Sequence, residues 1–174
     1  MPVSAQTFKG VQALLAGAVT IVTTRDEAGL PWGLTATSFC SLSLDPPLIV
    51  ICLARSADCY TAFLSSPFFA VNVLSDRQRH LSQRFATKGH SKYRDTQFEE
   101  GQLGVPLLPE SLARLECRVH ATYPGGDHCI LVGLVEHGEH LLSDGNLQPL
   151  LYYNRAYGTF TSLDKEEAAQ KFEK

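Results

Sequence analysis

The chain has 174 residues, 44% of them hydrophobic and 19% charged, with a formal charge of -3. So apolar a chain is not disordered, because burial on this scale offsets the entropy of ordering. Fifteen Lys and Arg against eighteen Asp and Glu, with a pI near 6.0, leave no basic surplus for a phosphate backbone, which disfavours a nucleic-acid partner.

Thirteen glycines and nine prolines predict a turn-rich, β-containing single domain rather than a helical bundle. Residues 4–16 predict a helix with Phe8, Val11, Leu14 and Leu15 on one face, ended by Gly17. The run 11–22 resembles a short signal-peptide core. Its basic flank is Lys9 alone and it is too short to span a bilayer, so it reads as a helix end and a buried strand, with no membrane association. Residues 18–25 are β-branched and lead into Asp26-Glu27-Ala28-Gly29, a hairpin turn, and 31–41 resume the strand. Asp45-Pro46-Pro47 is a hard break. The continuous apolar run 48–53 predicts a strand covered on both faces.

A helix over 57–64 and a strand over 68–74 follow, then a capping box, Ser75 with Gln78, opening a helix through Phe85. Residues 87–108 are polar and aperiodic, which predicts a long loop or lid. Two strands, 112–122 and 129–136, flank Pro124-Gly125-Gly126-Asp127, and a ribbon over 137–146 precedes Pro149-Leu150-Leu151-Tyr152-Tyr153. The charged stretch from Asp164 reads as a solvated helix or frayed end, giving a domain over 1–160 and a tail over 161–174. Irregularly spaced strands outnumber helices, so the predicted fold is mainly β: a single barrel with a few short helices.

Cys40, Cys52, Cys59, Cys117 and Cys129 form no CxxC pair, and their odd number points to reduced thiols in a cytoplasmic protein. Cys117 and His120 fall on opposite faces of a strand, so no metal site is expected there. His80, His90, His120, His137 and His140 have no setting that points to chemistry. GxGxxG, GxxxxGK, HExxH and GxSxG are all absent, so any enzyme activity would rest on a cofactor.

Five segments can carry chemistry, and each also has a plain structural reading. In Gly33-Leu34-Thr35-Ala36-Thr37-Ser38-Phe39, small residues and hydroxyls let a flat ligand approach the backbone; the same residues make an ordinary edge strand. Cys52-Leu53-Ala54-Arg55-Ser56-Ala57-Asp58 leaves a strand for a helix, where Arg55 and Ser56 would suit a phosphate or simply cap the helix. Arg84-Phe85 places a guanidinium beside a core aromatic. Gly125-Gly126-Asp127-His128 is a tight turn in which Asp127 would orient the His128 ring for proton transfer or amide recognition. Leu151-Tyr152-Tyr153-Asn154-Arg155-Ala156-Tyr157-Gly158 alternates aromatics with Arg, a stacking wall for a planar ligand or ordinary packing.

In this order and spacing the segments resemble the short flavin reductases that serve two-component monooxygenases, whose domain is the FMN-binding split barrel. The matching pieces are AVTIVTTRDEAGLPWGLTATSFCSLSLDPPLIVICLARSA, FFAVNVL, LSQRFA, GGDHCILVGLV and PLLYYNRAYG, spanning residues 10–158. The resemblance implies that Thr35, Ala36, Thr37 and Ser38 line the isoalloxazine. It implies that Cys52, Leu53, Arg55 and Ser56 run past the ring to the phosphate, and that Arg84 and Phe85 complete flavin binding. His128 matches a histidine beside the nicotinamide site, with Tyr153 and Tyr157 nearby. Two departures stand out: Cys59, where Ser or Thr is common, and Trp32, where smaller residues are usual and which would alter the pocket mouth.

The implied activity is hydride transfer from NADH or NADPH to FMN or FAD, with reduced flavin diffusing to a partner monooxygenase. The implied assembly is a homodimer. The rival readings are a non-catalytic flavin-binding, sensor or electron-transfer module of the same fold and, more remotely, a lipocalin-like carrier, against which the Asp45-Pro46-Pro47 break and the helices argue.

Overall fold

A computed structural model describes residues 2–89, 91–140 and 147–162. Helix α1 (Ala5–Gln12) is capped by Ser4, whose Oγ accepts from Thr7 N at 3.1 Å. It is shorter than predicted. Its apolar face is also left uncovered among the described residues, since Phe8, Val11, Leu14 and Leu15 are all more than half exposed.

Ten strands with three further short helices follow: β1 (Gly17–Ala18), β2 (Thr20–Arg25), β3 (Pro31–Ala36), β4 (Phe39–Ser43), β5 (Leu48–Ala54), α2 (Tyr60–Ser65), β6 (Phe68–Val73), α3 (Arg79–Phe85), α4 (Ser91–Arg94), β7 (Glu99–Glu100), β8 (Pro106–Leu107), β9 (Ala113–Gly125) and β10 (His128–His140). Strands β11 (Leu151–Tyr153) and β12 (Ala156–Gly158) close the described chain.

Seven strands make one antiparallel sheet in the order β3-β2-β6-β9-β10-β5-β4. Its two edges are β3 and β4, which are consecutive in the chain and separated by Thr37 and Ser38 alone. The sheet therefore curls until its edges nearly meet, yet no ladder joins β3 to β4 among the described residues. The result is a barrel with an open seam. Bulges in the β9–β10 ladder between Val132 and Gly133 and between Val135 and His137 help it bend. At Gly133 any side chain would run into the Phe69 ring.

The barrel interior holds Val22, Ile51, Leu53, Phe69, Cys117 and Leu131, with Phe63 of α2 as a plug. A second core packs Val19, Ile21 and Leu74 under Phe85, Tyr93 and Leu150. Strand β2 lies between the two, so both of its faces are buried and its threonines must be satisfied internally. Thr20, Thr23 and Thr24 donate to the carbonyls of Ala36, Pro106 and Phe68.

The Asp26–Gly29 turn forms as read: Gly29 N donates to Asp26 O at 2.9 Å with Gly29 at φ 77°. The predicted strand over 31–41 is instead two strands, because the chain turns the seam at Thr37–Ser38. Strand β5 alternates buried and half-buried residues rather than being covered fully on both faces. The capping box of Ser75 and Gln78 forms as read, Gln78 Oε1 accepting from Ser75 N at 3.1 Å.

The lid expected over 87–108 is instead tied down. Tyr93 is buried, its hydroxyl accepting from Gly33 N and donating to Gly33 O, and Leu107 and Leu108 are core. Strand β10 continues to His140, absorbing the start of the predicted ribbon, whose remainder at 141–146 lies outside the described residues, as does the tail beyond 162.

Candidate functional site

The seam brings distant segments together. Thr37 and Ser38 are exposed, and the Ser38 hydroxyl both donates to Cys52 O at 3.2 Å and accepts from Cys52 N at 3.4 Å. From Cys52, β5 continues to Ala54, which sits opposite His128 on β10. Arg55 N then donates to Asp127 O at 3.0 Å, and a turn closed by Ala57 N on Ala54 O leaves Arg55 and Ser56 exposed at its tip. Ser38, Cys52, Arg55, Ser56 and His128 thus share one end of the sheet.

The His128 ring is held by its neighbour. Nδ1 lies 2.7 Å from Asp127 Oδ1. A carboxylate only accepts, so Nδ1 donates and Nε2 is left to give or take a proton. The hydrogen bond from His128, reinforced by its charge, holds the Asp127 carboxyl below the usual carboxylate value. Gly126, at φ 69°, supplies the left-handed conformation the turn needs.

Other predicted positions reach this region through the backbone or not at all. Leu53 is fully buried and Ala36 nearly so, leaving only their main chain to face a ligand. Phe85 is core, with edge-to-face contacts to Tyr93 at 5.6 Å and Phe98 at 6.3 Å. Arg84 is half-buried. Its Nη1 donates to Asp95 O at 3.2 Å and Thr96 Oγ1 at 3.3 Å, while Nε and Nη2 carry no protein partner among the described residues.

Beside the seam lies a cleft of about 700 Å³ lined by Thr35, Thr37, Arg79, Ser82, Tyr152 and Tyr157, among others. It is well braced. Thr35 Oγ1 donates to Ser82 O at 2.7 Å, the Ser82 and Tyr157 hydroxyls are 2.9 Å apart, and Arg79 sits 5.3 Å from the Tyr157 ring centre. Tyr152 and Tyr157 are cross-strand partners on β11 and β12, whereas Tyr153, one residue on, does not line the cleft. Of the residues the resemblance implies, Thr35, Thr37 and Tyr157 line the cleft and Tyr153 does not, while Tyr152, Arg79 and Ser82 line it as well. The signal was present in the i, i+3, i+7 spacing of Arg79, Ser82 and Ala86, which puts them on one face of α3.

The two departures resolve differently. Trp32 follows the inward-facing alternation of β3 with Leu34 and Ala36, opposite to Thr35 and Thr37, so it does not line this cleft. Its Nε1 donates to Asp26 Oδ2 at 2.8 Å, beside a separate cleft of about 420 Å³ that also includes Asp58. Cys59 is fully buried at the start of α2, and burial, with the nearby Asp58 charge, pushes its thiol up to about 11. It is a neutral core thiol, with no hydroxyl to offer a phosphate. Asp58 itself accepts from Gly89 N at 2.6 Å and from the buried Lys92 Nζ at 3.3 Å, pinning the segment before α4. Among the described residues no cluster of three or more potential metal ligands occurs, and no helix is long and apolar enough to cross a membrane.

A family model described as the flavin reductase like domain matches residues 12–161. The chain belongs to the flavin reductase-like family. Among curated relatives it is 39% identical over 158 residues to the FMN reductase (NADH) SmoA of Agrobacterium fabrum, covering 91% of this chain and 87% of that protein. It is 38% identical over 155 residues to the actinorhodin polyketide dimerase of Streptomyces coelicolor, covering 89% and 86%. Among solved structures, nitrilotriacetate monooxygenase component B from Mycobacterium thermoresistibile superposes with a TM-score of 0.84 at 35% identity, covering 90% of this chain and 86% of that one. The open-seamed sheet of this flavin reductase-like chain is thus the split barrel that the sequence resemblance implied.

Proposed function

We propose that the chain is an NAD(P)H:flavin oxidoreductase that reduces FMN or FAD and releases the reduced flavin to a separate monooxygenase. The observation that carries this reading is the open seam. There, exposed small residues at 37 and 38 meet Cys52, and the tethered His128 shares that end of the sheet with Arg55, whose guanidinium has no partner among the described residues. A flat ring with an anionic tail fits that set. The backbone of residues 35–38 would seat the ring, with Arg55, Ser56 and Arg84 turned to its phosphate. The paired cofactors supply the hydride chemistry, so the protein needs to align and shelter them rather than to provide a nucleophile. His128 orients the nicotinamide and handles a proton at Nε2, with Asp127 fixing the ring.

Support from relatives is direct in kind: one is named for NADH-dependent FMN reduction, and a structural neighbour for its place as a monooxygenase component. The working domain is residues 1–160, with 161–174 a tail, a boundary supported by the family match ending at 161. The protein works as a homodimer; the uncovered apolar face of α1, together with Leu44 at 92% exposure, supports this. A cytoplasmic location accords with five cysteines that are all unpaired.

The test mixes the protein with NADH or NADPH and FMN or FAD, following the nicotinamide absorbance. Oxidation is expected; none in any of the four combinations would leave a non-catalytic flavin-binding module. Light scattering during turnover should give twice 19.1 kDa, and a monomer would remove the homodimer.

A further inference from the structure

We infer that Tyr93 is a positioning residue for the ring seat: its hydroxyl takes up the outward backbone pair of Gly33 on the edge of β3, and so fixes the strand whose next outward pair, at Thr35, meets the ligand. The inference deepens the reductase reading and rests on it for what sits at Thr35, though not for the clamp itself.

Strand β3 is an edge of the sheet, so only one of its sides finds a ladder partner. Its register with β2 decides which residues point outward. Ala36 lies opposite Thr20, Leu34 opposite Val22 and Trp32 opposite Thr24, and Asp26 N donates to Leu30 O at 3.1 Å at the head of the same series. Alternate pairs of an antiparallel ladder exchange both backbone bonds, so these residues face β2. Gly33 and Thr35, lying between them, turn N–H and C=O along the open edge.

Gly33 is buried, and one side chain meets both of its outward groups. The Tyr93 hydroxyl accepts from Gly33 N at 2.8 Å and donates to Gly33 O at 3.0 Å, as a residue of a neighbouring strand would. A buried pair left unmet there would be costly. No protein group meets the equivalent pair at Thr35 among the described residues, whose side chain is committed to Ser82 O.

The clamp is stiff. The Tyr93 ring packs edge-on to Trp32 at 6.0 Å and to Phe85 at 5.6 Å. Neighbouring Lys92 is buried, with Nζ bound to Asp58 and to Thr87 O. Strand β3 has no slack on its other side either, since a Cβ at Gly33 would lie 2.7 Å from Val22 O and 3.3 Å from the Phe85 ring. A phenylalanine would fill the same aromatic cluster, so what the hydroxyl adds is its hold on Gly33. Burial pushes the phenol well above its ordinary value, which keeps it protonated and able to donate.

The same turn reaches the other end of the proposed flavin site. Thr96 Oγ1 donates to Lys92 O at 2.8 Å and accepts from Arg84 Nη1 at 3.3 Å. One short segment, 92–96, thus holds both the edge that would carry the ring and a guanidinium that would meet the phosphate.

The experiment compares wild type, Tyr93→Phe and Arg114→Leu, the last a variant weakened far from the seam. It reads exchange of the Gly33 amide by NMR, affinity for FMN and FAD by fluorescence titration, and KM for NADH. Tyr93→Phe keeps the ring packing and should fold. Its Gly33 amide should exchange about tenfold faster and flavin should bind about tenfold more weakly, with KM for NADH unmoved. Arg114→Leu should lose stability with flavin affinity unchanged. Faster exchange without loss of flavin affinity would make Tyr93 a residue of the fold alone and overturn the inference. Unchanged exchange, or an equal flavin loss in both variants, would overturn it too. If wild type bound neither flavin, the reductase reading would fall and take the inference with it, a result distinct from wild-type binding that Tyr93→Phe fails to weaken.

Discussion

Arginine plays opposite parts at the two ends of β10. Near its C-terminal end Arg114 is nearly buried and clasped by Glu99 and Glu139, and Arg118 pairs with Glu136. Arg25 on β2 pairs likewise with Glu100 at 2.6 Å. Eleven residues away along the same strand, roughly 35 Å of extended chain, lies His128 with Arg55 beside it, and Arg55 has no carboxylate partner among the described residues. Arg79, Arg84 and Arg155 lack one too, among the described residues. A guanidinium matched by carboxylates has its charge spent on the fold, whereas one left unmatched is available to an incoming anion. On the proposed reading, the unmatched guanidinium groups mark the ligand end of the barrel.

The comparison can be tested from both sides. The largest effect is expected at the unpaired end: His128→Ala should cut turnover by about a hundredfold, as for loss of a positioned acid-base group, with flavin affinity nearly intact. Unchanged steady-state rates would remove the histidine from the mechanism. Next, Arg55→Gln with Arg84→Gln should weaken flavin binding by more than tenfold in a fluorescence titration, with the urea midpoint hardly moved. Loss of stability instead would make these structural arginines like the others.

At the paired end the expectation reverses. Arg114→Leu should lower unfolding free energy by about 2 kcal/mol, since it strips two carboxylates of their partner, while KM for flavin stays put. A binding defect there would dissolve the distinction. The smallest effect concerns pH. Burial of Asp58 opposes its ionisation, but the Gly89 N–H and Lys92 outweigh this and hold the carboxyl below its ordinary value. Its stabilisation is therefore complete above about pH 4 and lost as pH falls through the lowered native value. The stability gap between wild type and Asp58→Asn should narrow on acidification below pH 4; a gap that widened would refute the assignment.

Much of the barrel was readable because it depends on local signals. The Asp26–Gly29 turn, the Gly126-Asp127 turn and the β-branched runs specify hairpins within a few residues. What was hidden depends on long-range geometry. Nothing local says that Tyr93 reaches back to Gly33, turning an expected lid into a wall. Nor does an apolar helix pattern say whether its face meets this chain, as α1 shows. Among the site residues, Ser38, Arg55 and His128 stood out by chemistry and by motif order. Leu53 and Phe85 belonged to the same motifs, yet their side chains serve the core. The phase of a three-residue strand cannot be read from two adjacent tyrosines, and the structure turns Tyr152, not Tyr153, to the cleft.

The strand order has a temporal side. The β2–β3 and β4–β5 hairpins are made first as the chain emerges, but they occupy opposite flanks of the sheet and have only each other's connecting residues in common. Only when β6, β9 and β10 have been synthesised can the two be bridged. The corner at Thr37–Ser38 is therefore fixed in the sheet only by strands that follow it in the chain, the last of them ending at residue 140. A chain truncated ahead of β9 should then expose unpaired ribbon edges and collect in the insoluble fraction, its flavin seat never assembled.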